Sequence, residues 1–317
     1  MKLWGLGLVM LMITGCVYAD TDYFIPIDAG SSAYSVRMGH IGMFSPLSTA
    51  VFDNPASLDA VNSFSGSIFA TTFMEEVAYQ NLTLATRLPS GGVLGFGYMG
   101  VGVSGLNRTT RVWNDNIVGN VDNVSDWVVV KTGETFEYTN RLLKVTYQAT
   151  QNEVFSWSAG ATYYSTSVAG ISGSGFNGDL GMLANFHPFW LSVSARNVIP
   201  GLGVSYSNGG KENLPLQLVI ASRYDWEDFQ LMAQLRAANG DNYALLKSAA
   251  VNYVPSFLPF FEGSLGYREV ALGSVAKGSI TAGVGLEYQG VRFDYGFETS
   301  DHVVYNAKHY FSLGFSF

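Results

Sequence analysis

Cysteine, charge and long apolar runs are what this 317-residue chain has least of. Its one cysteine, Cys16, excludes a disulfide framework and any multi-cysteine zinc site. Charged residues make up 13%, about half the roughly 25% usual in soluble domains, while apolar residues reach 48%. So little charge would leave a water-facing surface short of polar cover, and a membrane solvent removes the deficit. The formal charge is −8, which argues against nucleic acid as a partner, because phosphates need a basic face. Beyond residue 20 no run of eighteen apolar residues occurs, so no bilayer-spanning helix is expected. The four histidines (40, 187, 302 and 309) are scattered without the His-Glu-x-x-His spacing of a zinc site, so they read as ordinary polar residues. No metal or cofactor is expected.

What the chain does have is glycine (36), aromatics (14%) and alternation with a period of two. Phe311, Leu313, Phe315 and Phe317 fall on one face and Ser312, Gly314 and Ser316 on the other. Val291, Phe293, Tyr295 and Phe297 alternate with Arg292, Asp294, Gly296 and Glu298; comparable patterns run through 229–236 and 279–288. About fourteen strands result, near 62–72, 77–88, 92–103, 138–149, 153–167, 176–186, 189–198, 213–224, 227–238, 242–254, 259–269, 278–289, 291–299 and 307–317. Most have the length that crosses a bilayer at a tilt. Connections after even strands are short and several after odd strands are long, notably 104–137 and 199–212. Short turns on one rim and longer loops on the other describe a transmembrane antiparallel β-barrel over 62–317. A soluble β-sandwich also alternates, but here the polar faces are small and weakly charged, while large aromatics such as Tyr288, Tyr295 and Phe317 stand near strand ends as a membrane girdle would.

The solvent fixes the register. Arg or Lys on a lipid face costs roughly 2–4 kcal/mol at the midplane, and a slip of one residue turns every side chain over. Arg196, Arg223, Arg236, Glu262, Arg268, Glu287, Arg292 and Asp294, with Gln230 and Gln234, are therefore expected to face the lumen or a rim.

At the amino end, Lys2, an apolar stretch from Leu3 to Ile13 and a small residue at Ala19 describe an export signal over 1–19. Ile13-Thr14-Gly15-Cys16 also resembles a lipoprotein processing site, so Cys16 is either acylated or discarded with the signal. Residues 20–61 do not alternate. They carry Arg37-Met38-Gly39-His40-Ile41-Gly42-Met43 and then Asp53-Asn54-Pro55-Ala56-Ser57-Leu58. An arginine-led, glycine-spaced stretch followed by Asn-Pro-Ala before the first strand resembles the FadL/PorV superfamily of outer-membrane barrels, which reads R-x-x-G-M-G and N-P-A-G-L. Ser57 stands where that pattern has glycine, and the first stretch is an imperfect match.

The resemblance implies a fourteen-stranded barrel whose N-terminal segment, 20–61, folds inward as a hatch through Arg37, Gly39, Gly42, Asp53, Asn54, Pro55 and Ala56. It implies a bacterial outer-membrane location, outer-membrane lipids around the barrel, and insertion by the barrel-assembly machinery, whose terminal signal a final Phe resembles. It further implies passive uptake of hydrophobic small molecules, long-chain fatty acid-like ligands among them. Some members release ligand sideways at a kinked strand, which here points to Gly95, Gly97, Gly100 and Gly102 in strand three. Ile199, Leu202, Val204 and Tyr206 could form a catching surface or simply pack over the mouth. The alternative within the same resemblance is a PorV-like barrel that does not transport but binds exported proteins for surface attachment.

No other motif has the context its chemistry needs. Gly95-Phe96-Gly97-Tyr98-Met99-Gly100 and Gly173-Ser174-Gly175-Phe176-Asn177-Gly178 fit the dinucleotide spacing but have strand-like surroundings where that motif needs a helix. Gly209-Gly210-Lys211 lacks the rest of a phosphate loop. Asp115, Asp122 and Asp126 have no regular calcium spacing. No Ser/His/Asp set can be assigned, and the chain is not expected to be an enzyme.

Overall fold

The computed structural model describes residues 26, 30–73, 77–113, 127–239, 245–272, 275–299 and 307–317. The expected export signal, Cys16, Asp115, Asp122, Asp126 and His302 lie outside the described residues. Among the described residues, sixteen strands follow a helical N-terminal stretch. In order they are β1 (Phe64–Phe73), β2 (Val77–Arg87), β3 (Val93–Trp113), β4 (Trp127–Thr150), β5 (Phe155–Val168), β6 (Ile171–Phe186), β7 (Phe189–Arg196), β8 (Gly203–Tyr206), β9 (Lys211–Asn213), β10 (Gln217–Trp226), β11 (Phe229–Ala238), β12 (Leu246–Tyr253), β13 (Phe261–Leu272), β14 (Val275–Tyr288), β15 (Val291–Thr299) and β16 (Ala307–Ser316).

Fourteen of these form a ring. Each pairs antiparallel with its neighbour, and β16 closes on β1 through Ser65↔Ser316 to Ala70↔Phe311. The Phe317 carbonyl accepts from the Ser63 and Phe64 amides at that seam. Closure removes both sheet edges, as a hydrocarbon solvent requires. The turns 88–92, 151–154, 187–188, 227–228, 254–260 and 289–290 share one rim with Phe317. Among the described residues no helix is long and apolar enough to cross a membrane.

Burial is inverted relative to a soluble protein. Phe293 and Phe311 are 38% and 49% exposed on the outer face, while Asp294 beside them is 3% exposed. Ser65, Thr83, Gln148, Thr281 and Glu298 are buried, and Ile68, Val145, Trp157, Leu265, Ile280 and Leu313 are exposed. Polar groups thus pair inside the ring, and the outer band meets an apolar solvent.

Two expected loops contain strand. Of residues 104–137, read above as a loop, 104–113 and 127–137 continue β3 and β4 as a two-stranded ribbon beyond the ring, with register shifts at Val103/Leu106 and Asn107/Thr109. Both ribbon faces are exposed, so no apolar alternation marks it. The segment 199–212 holds the β8–β9 hairpin, which pairs with β6 and stands outside the ring order. β12 begins at Leu246, later than the expected 242, and β6 begins at Ile171, earlier than the expected 176.

The N-terminal stretch lies inside the ring. Helix α1 (Ala33–Arg37) starts on Ser32, whose hydroxyl accepts from the Ser35 amide while the Ser35 hydroxyl accepts from the Ser32 amide. It is followed by a 3₁₀ turn (Leu47–Thr49), helix α2 (Ala50–Asp53) and a second 3₁₀ segment (Pro55–Ala60). Asn54 opens the latter by accepting from the Ala56 amide, with Pro55 at the first helical position.

Candidate functional site

The hatch meets the wall through backbone close approach and buried ions. Gly39 has φ +65, and a Cβ there would press on the Tyr267 and Ala249 carbonyls; the opposing Gly266 has equally little room, against Gly39 itself. Glycine on both sides lets two backbones touch. The Gly39 amide donates to Thr281 Oγ1 at 3.0 Å. On this bay sits Arg37, fully buried. Its Nε donates to Asp294 at 3.2 Å, its Nη1 to Asn252 and Ser264 at 3.0 Å each, and its Nη2 to Glu262. Arg292 shares both carboxylates and adds Glu287 at 2.8 Å. Each nitrogen of these guanidinium groups faces an acceptor, the condition for an ion to remain inside.

At its other end the hatch is held by Asp53 and Asn54. Asp53 accepts from Ser31 and Ser45 and lies 3.9 Å from Arg196, whose Nη2 reaches the Asp53 carbonyl at 3.3 Å. Burial raises the Asp53 pKa against the pull of Arg196. Gly42 leaves the space that the Asp53 carboxyl occupies. Asn54 Nδ2 donates to Ser192 Oγ at 2.7 Å and to the Met182 carbonyl at 3.1 Å. Pro55 and Ala56 are buried beneath. The motif residues are thus two docking points on opposite walls.

The strand-three glycines divide by face. A Cβ at Gly95 or Gly97 would meet Val51 and Phe52 at 2.8 and 2.5 Å, so these two make room for α2. Gly100 and Gly102 lie on the opposite, outward face of the strand. β3 is paired without a break to β2 and β4 from Val93 to Gly102. The gap expected at this strand is therefore not found among the described residues; the glycines that face inward serve hatch packing.

The other residues expected in the lumen sit as follows. Arg268 is buried and donates to Glu298 at 2.6 Å. Arg223 stacks over Trp190 at 4.4 Å and pairs with Asp225 at 2.9 Å, near hatch residue Phe44. Arg236 is half-buried on the inner face, and Glu287 is exposed at the rim. Gln234 donates to the His40 carbonyl. Sequence reasoning passed over Lys144 and Asp179, a buried pair at 2.9 Å on β4 and β6. The signal was available, because Lys144 alternates with Leu143 and Val145. His40, set aside as an ordinary polar residue, is buried 3.5 Å from Glu298. Burial, then Arg268, lowers its pKa to about 4.

On the ribbon side of the hatch lies a packed apolar cluster. The hatch gives it Ala33, Val36 and Phe52, and the wall Phe69, Tyr79, Met99, Val101, Leu142, Tyr164 and Tyr310. Val204 and Leu214, from the segment carrying β8 and β9, close it, with Tyr138 and Tyr206 packed against it. Phe69 stacks on Tyr310 at 6.0 Å and meets Tyr79 edge-on at 5.5 Å. The tyrosine hydroxyls are engaged by protein: Tyr79 with the Pro26 and Gly30 carbonyls, Tyr164 with Asn197, Tyr310 with Glu298 and Tyr206 with Glu212. Of the suggested catching residues, Val204 is buried in this cluster, Leu202 and Tyr206 are half-buried, and Ile199 is exposed.

A closed fourteen-strand ring holding its own N-terminal segment is the architecture of the FadL-like outer-membrane barrels. No family model matches the chain, and no curated protein is similar to it. Among solved structures, the CymD monoaromatic hydrocarbon channel aligns with a TM-score of 0.61 at 13% identity, over 93% of this chain and 99% of that one. The Pseudomonas putida toluene transporter TodX aligns at 0.56 and 12% identity, over 94% and 97%. At such identity the likeness is one of fold.

Proposed function

We propose that this chain is a passive outer-membrane channel that takes up hydrophobic small molecules, its ligand received by the aromatic cluster above the hatch. In this reading residues 1–19 direct export, the rim with Phe317 faces the periplasm, the barrel-assembly machinery inserts the chain, and 20–61 act as the plug. The observation that carries it is the cluster's chemistry: ring faces, aliphatic groups and the Met99 sulfur make it up, while its tyrosine hydroxyls are already bonded to protein. A ligand carboxylate would surrender its water for little return there, whereas an uncharged ring joins an existing aromatic cluster. Within the hydrophobic class, an uncharged hydrocarbon is therefore favoured over the fatty acid that the sequence resemblance suggested. The neighbouring folds of a monoaromatic hydrocarbon channel and a toluene transporter support the same direction.

Fluorescence titration of the purified protein in detergent with naphthalene and with laurate tests this. Saturable naphthalene binding at least tenfold tighter than laurate is expected. Tighter laurate binding would reverse the ligand assignment, and failure to bind either, with an exported protein co-purifying, would favour the shuttle reading.

A further inference from the structure

One arginine of the ring breaks the rule that charge faces inward. Among the described residues of the ring, Arg87, Arg196, Arg223, Arg236, Arg268 and Arg292 turn inward and meet protein partners. Arg141 instead turns outward with Leu143 and Val145, is exposed, and has no hydrogen-bond or ion-pair partner among the described residues. A guanidinium cannot shed its charge, and on a lipid-facing wall it is tolerated only near the headgroups. Arg141 stands at that level. Three residues further along β4, at Tyr138↔Val168, the β4–β5 ladder ends and the ribbon leaves the ring.

Its neighbours in register make a polar row across four strands. Gln80 on β2 lies opposite Gly100 on β3, Gly100 opposite Arg141, and Arg141 opposite Ser165 on β5. The glycine leaves a notch beside Arg141, and the Tyr98 hydroxyl reaches it, 2.7 Å from where a Cβ would stand. Towards the rim that holds Phe317, the next outward row is Leu82, Tyr98, Leu143 and Tyr163, followed by Phe96 and Val145. Polar donors above an apolar wall match the order in which a lipid presents its headgroup and chains. Arginine favours phosphate within that class, because its planar fork pairs with two phosphate oxygens at once. Lys247, also outward at this rim, lies beside a carboxylate already: Glu269 accepts from its amide at 3.0 Å. The next ion up β4 from Arg141 is Glu137, four residues on and exposed.

We propose that this row is a site for the phosphorylated headgroup of an outer-leaflet lipid. Arg141 holds the phosphate, the Tyr98 and Ser165 hydroxyls and the Gln80 amide flank it, and the acyl chains lie over Leu143 and Tyr163. Assignment to the outer leaflet rests on the orientation read above, with Phe317 at the periplasmic rim. The pairing of Arg141 with phosphate does not depend on uptake of any ligand.

Native mass spectrometry of the full chain in detergent, titrated with bisphosphorylated lipid A, tests the site. Arg141→Gln should weaken retention of the lipid at least fivefold, with Arg141→Lys intermediate because an ammonium lacks the fork. Gly100→Val, which fills the notch, should weaken it at least threefold, and Lys247→Gln should leave it within twofold. Dephosphorylated lipid A should bind the intact chain no better than it binds Arg141→Gln, and excess inorganic phosphate should not displace the lipid. Equal retention by Arg141→Gln, an equal loss in Lys247→Gln, or undiminished binding of the dephosphorylated lipid would each overturn the site. Displacement by inorganic phosphate would make it an ion site and overturn the lipid. Each variant is first checked for the heat-modifiable gel shift of a folded barrel; should Gly100→Val lose it, the Arg141 series decides alone. Thr132→Cys, exposed on the ribbon, tests the orientation separately through a membrane-impermeant maleimide on intact cells. Labelling is expected. Its absence would overturn the orientation and the outer-leaflet source together, whereas loss of the site with labelling intact would leave the uptake reading standing.

Discussion

Arg37 joins a short helix to three strands that follow it by more than two hundred residues. Removing one partner of a buried ion cluster costs about 3–5 kcal/mol, because the remaining charges stay desolvated. Arg37→Met would leave Glu262 and Asp294 to Arg292 alone. It should loosen the hatch and raise conductance in a planar bilayer, while Arg87→Met, at the terminal rim of β2, should do so less. His40 adds a dependence on pH. Its pKa is about 4 when docked against 6.5 for a free histidine, so the undocked state binds the proton more tightly. Docking is therefore favoured above pH 6.5, and the contribution, about 3 kcal/mol, is lost as pH falls towards 4. Asp53, raised by burial, works in the opposite sense. His40→Asn should flatten the rise in conductance between pH 6.5 and 4, and an unchanged rise would show that another group is responsible.

Among the elements, those with one dry and one wet face were readable before any coordinates: β15 lies where its alternation put it, 291–299. The ribbon and the β8–β9 hairpin were not. The ribbon answers to backbone pairing alone, with water on both its sides, and in the short strands of the hairpin Val204 alone is buried, so composition carries no trace of either. The hatch was legible as a segment through its glycines and Asn54-Pro55-Ala56, but its contacts were not, since partners such as Asn252 and Asp294 come from distant strands. Lys144 was overlooked for a simpler reason: a lysine among large apolar residues draws attention only once its inward face is recognised. If the hatch is the plug, deletion of residues 20–55 should raise permeability to small hydrophilic solutes severalfold. Liposome swelling would measure it, and rates equal to the intact chain would refute the plug.

At the scale of the molecule, the fold is a soluble protein turned inside out, and its tolerance of substitution should be inverted as well. Phe293→Arg places a cation on the outer band at roughly 2–4 kcal/mol if near the midplane. Arg236→Phe, at a half-buried inner position outside the Arg37 cluster, leaves the lipid face untouched. Membrane assembly, scored by the heat-modifiable shift on a gel, should suffer more from Phe293→Arg; equal losses would contradict the assigned faces.

The seam between β1 and β16 has a consequence for how such an object can be made. The N-terminal stretch precedes the first strand and ends up enclosed by a ring that only the last strand completes. It cannot be threaded through a finished wall, so it has to be gathered in while the ribbon of strands is still open, and a hatch peptide supplied separately should not repair a shortened chain.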